Sequence, residues 1–174
     1  MRIIAGEFKG RRLVEPGSVP LRPTSDSLRE TLFNVLGPTL EGATVLDGFA
    51  GTGALGLEAL SRGAARVTFI ESDRRAIALL RDNIGRCRAE PRCELVASNF
   101  LAGIGGLRVD LVLLDPPYDV KDLEQIAEMA AGAVATNGRL VLEHSRRRET
   151  PATAASLSRV RLLVAGDSAL SFYQ

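Results

Sequence analysis

Histidine, cysteine and tryptophan are scarce in this sequence, and their scarcity excludes several kinds of catalytic site. The 174 residues include one histidine, two cysteines and no tryptophan. A catalytic triad or a Cys–His mechanism needs a histidine beside a nucleophile, and His144 alone, at the end of a strand-like run, is a weak basis for one. Cys87 and Cys93 do not form a CxxC pair, so they predict reduced structural thiols and no bound metal.

An excess of charge and a long apolar run are absent as well. Lys and Arg number 22 against 21 Asp and Glu, which leaves a net charge of +1. A uniformly basic surface for nucleic acid is therefore excluded, and only a local basic patch could serve. No apolar run reaches the roughly 18 residues of a membrane span. Without a recognisable secretory signal either, we expect a cytoplasmic protein that does not enter a membrane.

The pattern from residue 43 onward is typical of an α/β fold. Short apolar runs alternate with amphipathic stretches of about ten to fifteen residues, which predicts a mostly parallel sheet between helical layers. The last two runs flank Gly166-Asp167 and predict an antiparallel hairpin. We predict strands at 44–49, 66–71, 93–98, 110–115, 138–145, 159–165 and 168–174, and helices at 53–63, 73–87 and 123–135.

The beginning of the chain follows a different pattern. Residues 1–20 contain short β-like runs broken by glycine and proline, and they predict a small β-hairpin arm in front of the domain formed by residues 21–174. Ser25 or Asp26 could cap a helix that Gly37-Pro38 ends. The apolar stripe of that helix would consist of Leu28, Leu32, Phe33 and Leu36.

Glycines follow the first predicted strand at the spacing of a nucleotide-binding turn. Gly51, Gly53 and Gly56 form GxGxxG, where glycine lets the backbone turn tightly and approach a ligand. A purely structural strand-to-helix turn can have the same pattern. Glu71 ends the next strand about 20 residues further on. In nucleotide-binding folds, an acid at this position binds the ribose hydroxyls. An acid at a helix N-terminus would also account for Glu71, but a nucleoside ligand explains both features.

Asp47, just before these glycines, indicates which nucleoside. A carboxylate there would repel a pyrophosphate but would attract the ammonium group of an amino acid. A dinucleotide-dependent oxidoreductase would also need a substrate domain, for which little chain remains. A nucleoside joined to an amino acid is S-adenosylmethionine, which we predict as the cofactor.

The motif Asp115-Pro116-Pro117-Tyr118 follows the apolar run VDLVLL. Proline fixes φ and lacks a backbone N–H, and an ionised carboxylate only accepts hydrogen bonds. This corner could therefore hold the exocyclic amino group of a base, and a base stacked on Tyr118 would gain about 1–3 kcal/mol. A proline turn alone would need neither the acid nor the aromatic ring. We predict methyl transfer to a base amine whose lone pair is oriented by Asp115 and the Pro116 carbonyl.

The order of these motifs resembles the bacterial 16S rRNA guanine-N2 methyltransferases. The similarity extends over nearly the whole chain and includes DGFAGTGALGLEALSRGA, FIESD, DLVLLDPPY and GDSALSFY, with MRIIAGEFKGRRL and RPTSDSLRETLFNVL near the start. The DPPY motif by itself indicates only an amino methyltransferase, because adenine-N6 DNA enzymes share it. The resemblance implies a seven-stranded, Rossmann-like, S-adenosylmethionine-dependent fold and a base flipped out of its helix.

The resemblance also implies the residues of the site. The cofactor would contact Asp47, Gly48, Phe49, Ala50, Gly51, Gly53, Glu71, Ser72, Asn99, Phe100 and Asp115, with its methionine end at the glycine turn, its ribose at Glu71 and its adenine at Asn99 and Phe100. The catalytic corner would consist of Asp115, Pro116, Pro117 and Tyr118. Gly48 replaces a larger apolar residue of the family and Asn99 an aspartate. We expect Asn99→Asp to change calorimetric cofactor affinity only modestly.

Basic residues cluster near the start of the chain and after the fifth strand. We predict that RNA phosphates are bound by Lys9, Arg11, Arg12, Arg22 and Arg29, and that charge reversal at Arg11 and Arg12 flattens the salt dependence of binding. The run Arg146–Arg148 fits either phosphate contacts or solvated surface. The partner would be 16S rRNA, free or within an assembling small ribosomal subunit.

Three other functions agree with parts of the pattern. An adenine-N6 methyltransferase acting on DNA or another RNA would share DPPY, although DNA enzymes of that kind usually carry a target-recognition domain, for which this chain has no room. A non-catalytic RNA-binding assembly factor could keep the fold. The function of a nicotinamide-dependent oxidoreductase would be supported by GxGxxG and Glu71 alone.

Overall fold

A single twisted sheet lies at the centre of the computed structural model, which describes residues 1–15, 17 and 26–174. The strands are β1 Thr44–Gly48, β2 Arg66–Glu71, β3 Cys93–Ala97, β4 Val109–Leu114, β5 Val134–Ser145, β6 Thr153–Ala154, β7 Leu157–Ala165 and β8 Ser168–Tyr173. The helices are α1 Asp26–Leu36, α2 Ala54–Ser61, α3 Arg74–Cys87, α4 Phe100–Gly103 and α5 Leu123–Gly132, with 3-10 turns at Gly37–Leu40 and Glu90–Arg92.

The strand order defines where a ligand would bind. The order is β3-β2-β1-β4-β5-β8-β7-β6; β1 to β5 run parallel, and β8 and β7 are antiparallel to their neighbours. The predicted parallel sheet with a final antiparallel hairpin is therefore confirmed. From β1, the chain adds β2 and β3 on one side of the sheet; from β4 onward, it adds strands on the other side of β1. The carboxyl ends of β1 and β4 consequently flank the crevice of the fold.

Each face of the sheet carries a hydrophobic core, as a three-layer arrangement requires. The first core lies between one face of the sheet and α1, α2, α3 and the N-terminal segment (residues 1–15). Val45, Leu113 and Val141 point into it. The second packs α4 and α5 on the other face, with Leu46 and Val112. Neighbouring residues of one strand thus enter different cores, as alternation along a strand dictates. No helix in the described part of the chain is long and apolar enough to cross a membrane.

The sheet differs from the sequence-based expectation in two places. An eighth strand, β6, adds two residues to the sheet edge beside β7. Residues 133–135 are predicted to be helical, but Ala133 is the C-cap of α5 and β5 starts at Val134. Val134 pairs with Val109 across a register irregularity, and Arg108 donates to the Val134 carbonyl at 3.0 Å. Pairing with β4 therefore overrides the apolar helix-like pattern at the end of α5.

The N-terminal segment, residues 1–15, folds back on itself and packs against α2. One antiparallel bridge joins Arg2 to Arg12. The backbone N–H groups of Ile4 and Ala5 donate to the Glu58 carboxylate at 2.8 and 3.1 Å. At Gly6, with φ +81°, an added Cβ would lie 1.7 Å from the Ser61 carbonyl oxygen, so only glycine permits this approach. Two predicted features, the Ser25 cap and Arg22, lie outside the described residues.

Candidate active site at the carboxyl ends of the strands

The turn after β1 is tight and contains left-handed backbone. Phe49 has φ +63°, which is costly for a residue with a side chain, and Gly51 and Gly53 have φ +54° and +79°. Strained backbone of this kind concentrates at ligand sites, where the surrounding structure enforces it. Gly53 then begins α2 as its N-cap residue. Ala50 is buried and donates to the Ile70 carbonyl at 3.0 Å, which ties the turn to β2.

Asp47 precedes this turn, holds it through a hydrogen bond and is almost completely buried. Its side chain is 1% exposed, and Oδ2 accepts a hydrogen bond from the Gly56 N–H at 2.8 Å. Burial raises the pKa of Asp47 well above its usual value; the Gly56 bond opposes this, and the negative fields of Asp115 and Glu71 add to it. A cation placed next to this carboxyl would remove part of that penalty.

Glu71 connects the end of β2 with the glycine turn. Its Oε2 accepts from the Gly51 N–H at 2.8 Å, and Oε1 accepts from the N–H groups of Ser72 and Asp73 at 2.7 and 2.8 Å. A carboxylate has about four lone-pair sites, so three backbone donors leave capacity for a ligand hydroxyl. The exposed Ser72 follows directly. The residues predicted for the ribose therefore border the turn predicted for the methionine end.

Asn99 and Phe100 follow β3 and begin α4. The Asn99 side chain is exposed, and its Oδ1 accepts from the Ala102 N–H at 2.9 Å as an N-cap. Phe100 is only 4% exposed, and its ring stacks on that of Phe49 with centroids 5.1 Å apart. Asn99 can reach a ligand with its amide, whereas Phe100 contributes mainly by supporting Phe49. Adenine contact at these positions remains a prediction.

Gly48 has a steric role in the same contact. A Cβ added at this position would lie 2.6 Å from Leu114 Cδ2 and 2.6 Å from Phe100 Cε2. The ring of Phe100 thus occupies the space that a larger residue at position 48 would need. The packing of Phe100 and Leu114 therefore requires glycine at position 48.

The Asp-Pro-Pro-Tyr corner leaves the sheet next to the glycine turn. Gly48 pairs with Leu114 in the parallel β1–β4 ladder, so Asp115 emerges beside Phe49. Asp115 and Tyr118 are half-buried, Pro116 is buried and Pro117 is exposed. The Pro117 carbonyl accepts from the Val120 N–H at 2.9 Å and is therefore used within the turn.

Two side chains outside the motif hold this corner in place. The Tyr118 hydroxyl shares a hydrogen bond of 2.6 Å with the Ser168 hydroxyl. Arg148 Nη1 donates to the carbonyls of Tyr118 and Val120 at 3.2 and 2.7 Å. Arg148, the last residue of the basic run after β5, is thus committed to the corner. Sequence reasoning noted the run but not this role, because a long side chain's target is not encoded in its local pattern.

A shallow depression lies beside the corner; its space of about 160 Å³ includes open solvent, and it encloses no room for a water molecule. Its walls are Pro116, Pro117, Tyr118, Val120, Leu123, Glu143, His144, Ser145 and Arg148. Sequence reasoning did not single out Glu143, a buried acid near the end of β5.

His144 and the cysteines have the structural roles expected of them. His144 lies within β5, with Nδ1 2.9 Å from the Ser145 carbonyl and Nε2 2.9 Å from the Ser171 hydroxyl. Burial lowers its pKa, so the ring tends to be neutral. Cys87 is buried and Cys93 is half-buried, and both are free thiols. Burial raises the pKa of Cys93 to about 12.

The residues predicted to contact RNA separate into different environments. Lys9 and Arg12 are exposed. Arg11 is half-buried, lies 5.0 Å from the centroid of the Phe8 ring and donates to the Arg86 carbonyl at 2.9 Å. The prediction for Arg29 is wrong: this side chain is 0% exposed, and its Nη2 donates to the Arg2 carbonyl and to Asp26 at 2.6 and 2.9 Å. Arg29 stabilises the fold and does not reach RNA.

Fold and strand-end loops together define the class: this is the fold of the S-adenosylmethionine-dependent methyltransferases. The family model "conserved hypothetical protein 95" matches residues 1–174. Over 178 residues the chain is 40% identical to ribosomal RNA small subunit methyltransferase D of Escherichia coli (strain K12), in an alignment that covers 100% of this chain and 89% of that protein. The chain therefore belongs to the conserved hypothetical protein 95 family, which includes ribosomal RNA small subunit methyltransferase D.

Solved structures agree with this membership. The structure of yhhF from Escherichia coli, described as a candidate methyltransferase, has a TM-score of 0.89 at 39% identity, and the match covers 100% of this chain and 97% of that one. A more distant structure, of a methyltransferase-like protein complexed with SAH, has a TM-score of 0.68 at 16% identity, covering 85% of this chain and 48% of that one. The second likeness concerns the fold alone.

Proposed function

We propose that this protein transfers a methyl group from S-adenosylmethionine to the exocyclic N2 of a guanine in 16S ribosomal RNA. The observation that carries the proposal is the position of the Asp-Pro-Pro-Tyr corner beside the glycine turn. Gly48 and Leu114 pair in the sheet, so the two loops leave adjacent strands side by side. A methyl donor held by one loop and an amine held by the other would meet at the strand ends, and such positioning supplies a large part of catalysis.

The residues around the glycine turn fit S-adenosylmethionine chemically. Asp47 is a buried carboxyl whose raised pKa would fall beside an ammonium group, which suits the amino-acid end. Glu71 keeps acceptor capacity for ribose hydroxyls, and the exposed amide of Asn99 suits the edge of adenine. S-adenosylmethionine would supply a sulfonium methyl group, which is electrophilic without further activation.

The Asp-Pro-Pro-Tyr corner would present the base amine to the methyl group. An exocyclic amine is a weak nucleophile, because its lone pair is delocalised into the base. Asp115 and the Pro116 carbonyl accept hydrogen bonds from its two protons and turn the lone pair toward the methyl group. As the N–C bond forms and the C–S bond breaks, N2 becomes acidic and releases one proton to water. The hydrogen bonds that Arg148 and Ser168 make to the corner keep these acceptors in position.

The RNA substrate is supported by the name of the relative and by the physical demands of the reaction. An amino nitrogen stacked within a helix cannot meet the methyl group in line, so the base must be flipped out toward the Asp-Pro-Pro-Tyr corner. Pro117 is exposed and Tyr118 is half-buried there, so a flat ring could stack on this surface. The exposed cations Lys9 and Arg12 would contact phosphates, which set register while the corner selects the base.

Mass spectrometry of small-subunit rRNA nucleosides tests the proposal. Cells that lack the protein should lose one N2-methylguanosine, and wild type should restore it. Asp115→Ala should reduce its formation by on the order of a hundredfold, because misplacing the amine removes the in-line geometry. Asp119→Ala, which removes a neighbouring exposed carboxylate, is the matched control and should restore the nucleoside.

Other outcomes would point to other functions. Loss of a methylated adenine would indicate an adenine-N6 enzyme. An unchanged set of nucleosides with altered subunit assembly would indicate a non-catalytic factor. Full restoration by Asp115→Ala would remove the Asp-Pro-Pro-Tyr corner from the mechanism.

A further inference from the structure

Positive charge is concentrated on one helix of the molecule. Of the helices in the described part of the chain, α3 alone carries a net positive charge. Its charged residues are Arg74, Arg75, Arg81, Arg86 and a single acid, Asp82. The helix α5, on the opposite face of the sheet, carries Glu124 and Glu128 and no basic residue. A chain with a net charge of only +1 thus gathers its arginines on the outer surface of α3.

Two of these arginines are exposed and not neutralised by an acid. The apolar side of α3 packs toward the sheet, and Arg74 and Arg81 lie on the exposed side. Arg86 forms an ion pair with Asp82 at 3.3 Å, whereas Arg74 and Arg81 form none with any residue that the structure describes. They are seven residues apart, which is nearly two turns, so they lie in line along the helix about 10.5 Å from each other.

The stability of α3 does not account for this arrangement. Arg74 and Arg75 occupy the first turn of the helix, which contains no acid. The helix dipole carries partial positive charge at that end, so it disfavours cations there. An anion bound to these side chains would offset the repulsion. The placement of the arginines therefore indicates an anionic partner.

The first turn of α3 lies at the carboxyl edge of the sheet, where the proposed reaction occurs. The helix follows β2, whose last residue, Glu71, accepts from the Gly51 N–H of the glycine turn. Only β1 separates β2 from β4, so the ends of β2 and β4 are two strand spacings apart, roughly 10 Å. RNA whose base reaches the Asp-Pro-Pro-Tyr corner can therefore extend its backbone across α3.

The N-terminal segment is fixed along the same helix. The buried Asn83 of α3 accepts from the Val14 N–H at 2.7 Å and donates to the carbonyls of Val14 and Thr52 at 3.2 and 2.9 Å. Its amide thus joins α3 to the segment and to the glycine turn. The exposed Lys9 and Arg12 belong to this segment. The cations of the segment and those of α3 consequently lie on one side of the molecule.

We propose that the outer surface of α3 binds RNA, with Arg74 and Arg81 on phosphates of the strand that flanks the target guanine. This inference rests on the proposed RNA substrate and adds a second surface to Lys9 and Arg12. A guanidinium group is planar and binds two phosphate oxygens at once. The position of α3 beside the proposed site of methyl transfer favours RNA over an acidic protein as the partner.

Salt-dependent binding of small-subunit rRNA, purified from cells that lack the protein, tests this surface. Arg74→Gln with Arg81→Gln removes both charges and keeps residues of similar helix propensity. The slope of log K against log salt should flatten by roughly 0.7–0.9 for each phosphate that is no longer neutralised. In the methylation assay KM for RNA should rise while kcat stays the same, because the reacting groups are untouched.

The matched control removes two charges from exposed strand positions. Arg66→Gln with Arg161→Gln should leave the salt slope and KM for RNA unchanged. Calorimetric S-adenosylmethionine affinity and Tm should stay at the wild-type level or above in both proteins. The loss of RNA affinity in the α3 variant would then have no counterpart in stability or cofactor binding.

The outcomes separate failure of this inference from failure of the proposed function. A wild-type slope in the α3 variant, or equal flattening by the control, would overturn the assignment of α3. Unchanged binding to purified rRNA with weaker binding to intact small-subunit particles would also overturn it, and would indicate an acidic protein partner. Wild type that forms no N2-methylguanosine would refute the proposed function, while a flattened slope in the variant would still support RNA binding by α3.

Discussion

At the scale of single residues, burial decides what the charged side chains do. Arg29 and Asp47 are 0% and 1% exposed, although both occur in sequence contexts that suggest contact with a ligand. Arg29 joins α1 to the N-terminal segment through its bonds to Asp26 and the Arg2 carbonyl. Asp47 supports the glycine turn through Gly56. For both residues, desolvation of the charged form is the largest influence on the pKa.

Asp47 should make the stability of the protein depend on pH in a characteristic direction. Its folded pKa is raised above the ordinary value of 3.8, so the folded state holds the proton over a range where the unfolded state has lost it. Stability from this group is therefore greatest at low pH and declines as the pH rises from 3.8 toward the folded pKa, by at most about 1.4 kcal/mol per unit. Asp47→Asn removes this decline. Urea unfolding from pH 4 upward, compared between the two proteins, measures it.

Asp110 supplies a control with the opposite sign. Hydrogen bonds from Thr44 lower the pKa of this exposed carboxyl. Its contribution is therefore present above the ordinary value and is lost as the pH falls through the folded pKa. A stability advantage of wild type over Asp47→Asn that grows with rising pH would contradict the raised pKa of Asp47.

At the scale of elements, the end of β1 and the start of α4 are fitted to each other. The absence of a side chain at Gly48 leaves room for Phe100, whose ring supports the strained Phe49. The glycine turn after β1 thus depends on a helix of four residues that has little stability of its own. We regard Gly48 and Phe100 as one packing unit.

Gly48→Ala should therefore destabilise the protein by about 1–3 kcal/mol, the usual cost of overpacking. It should also weaken S-adenosylmethionine binding, because Phe49 loses the support of Phe100. Combining it with Phe100→Leu should recover part of the loss, since the two positions share one space. Gly132→Ala, where an added Cβ meets nothing within 4 Å, is the control. Additive effects of the two site substitutions in chemical unfolding would contradict the coupling.

The secondary structure of this unit was only partly predictable. The sequence indicates strand β1, the turn and α2, because apolar runs and glycines report on local backbone. It did not predict α4, which is too short to show a helical period. Similarly, residues 133–135 look helical, but Val134 pairs with Val109 of β4, a partner distant in the chain.

At the scale of the whole molecule, the proposed RNA substrate requires an almost neutral chain to bind a polyanion through local charge. Lys9 and Arg12 are exposed on the N-terminal segment. That segment is anchored to α2 through Glu58 and Ser61, which restricts where these cations can lie. A fixed pair of cations can set the register of RNA on the surface as well as its affinity.

Charge reversal at these two positions should weaken RNA binding and reduce its salt dependence. Lys9→Glu with Arg12→Glu should flatten the slope of log K against log salt by roughly 0.7–0.9 for each phosphate that the protein no longer neutralises. Calorimetric cofactor affinity should not change. The control is Arg66→Glu with Arg161→Glu, an equal charge change at exposed positions elsewhere in the sheet. An unchanged slope would exclude the N-terminal segment from the RNA interface.

The sequence by itself determined the alternation of strands and helices, the glycine turn after β1 and the rigid acidic corner after β4, since dihedral preferences and hydrophobic periods are local properties. Only the tertiary structure decided which strand ends are neighbours, because it places β4 between β1 and β5. It also buried Arg29 and directed Arg148 to the corner. These contacts join residues far apart in the chain, and burial and hydrogen bonding select them only when the whole sheet has formed.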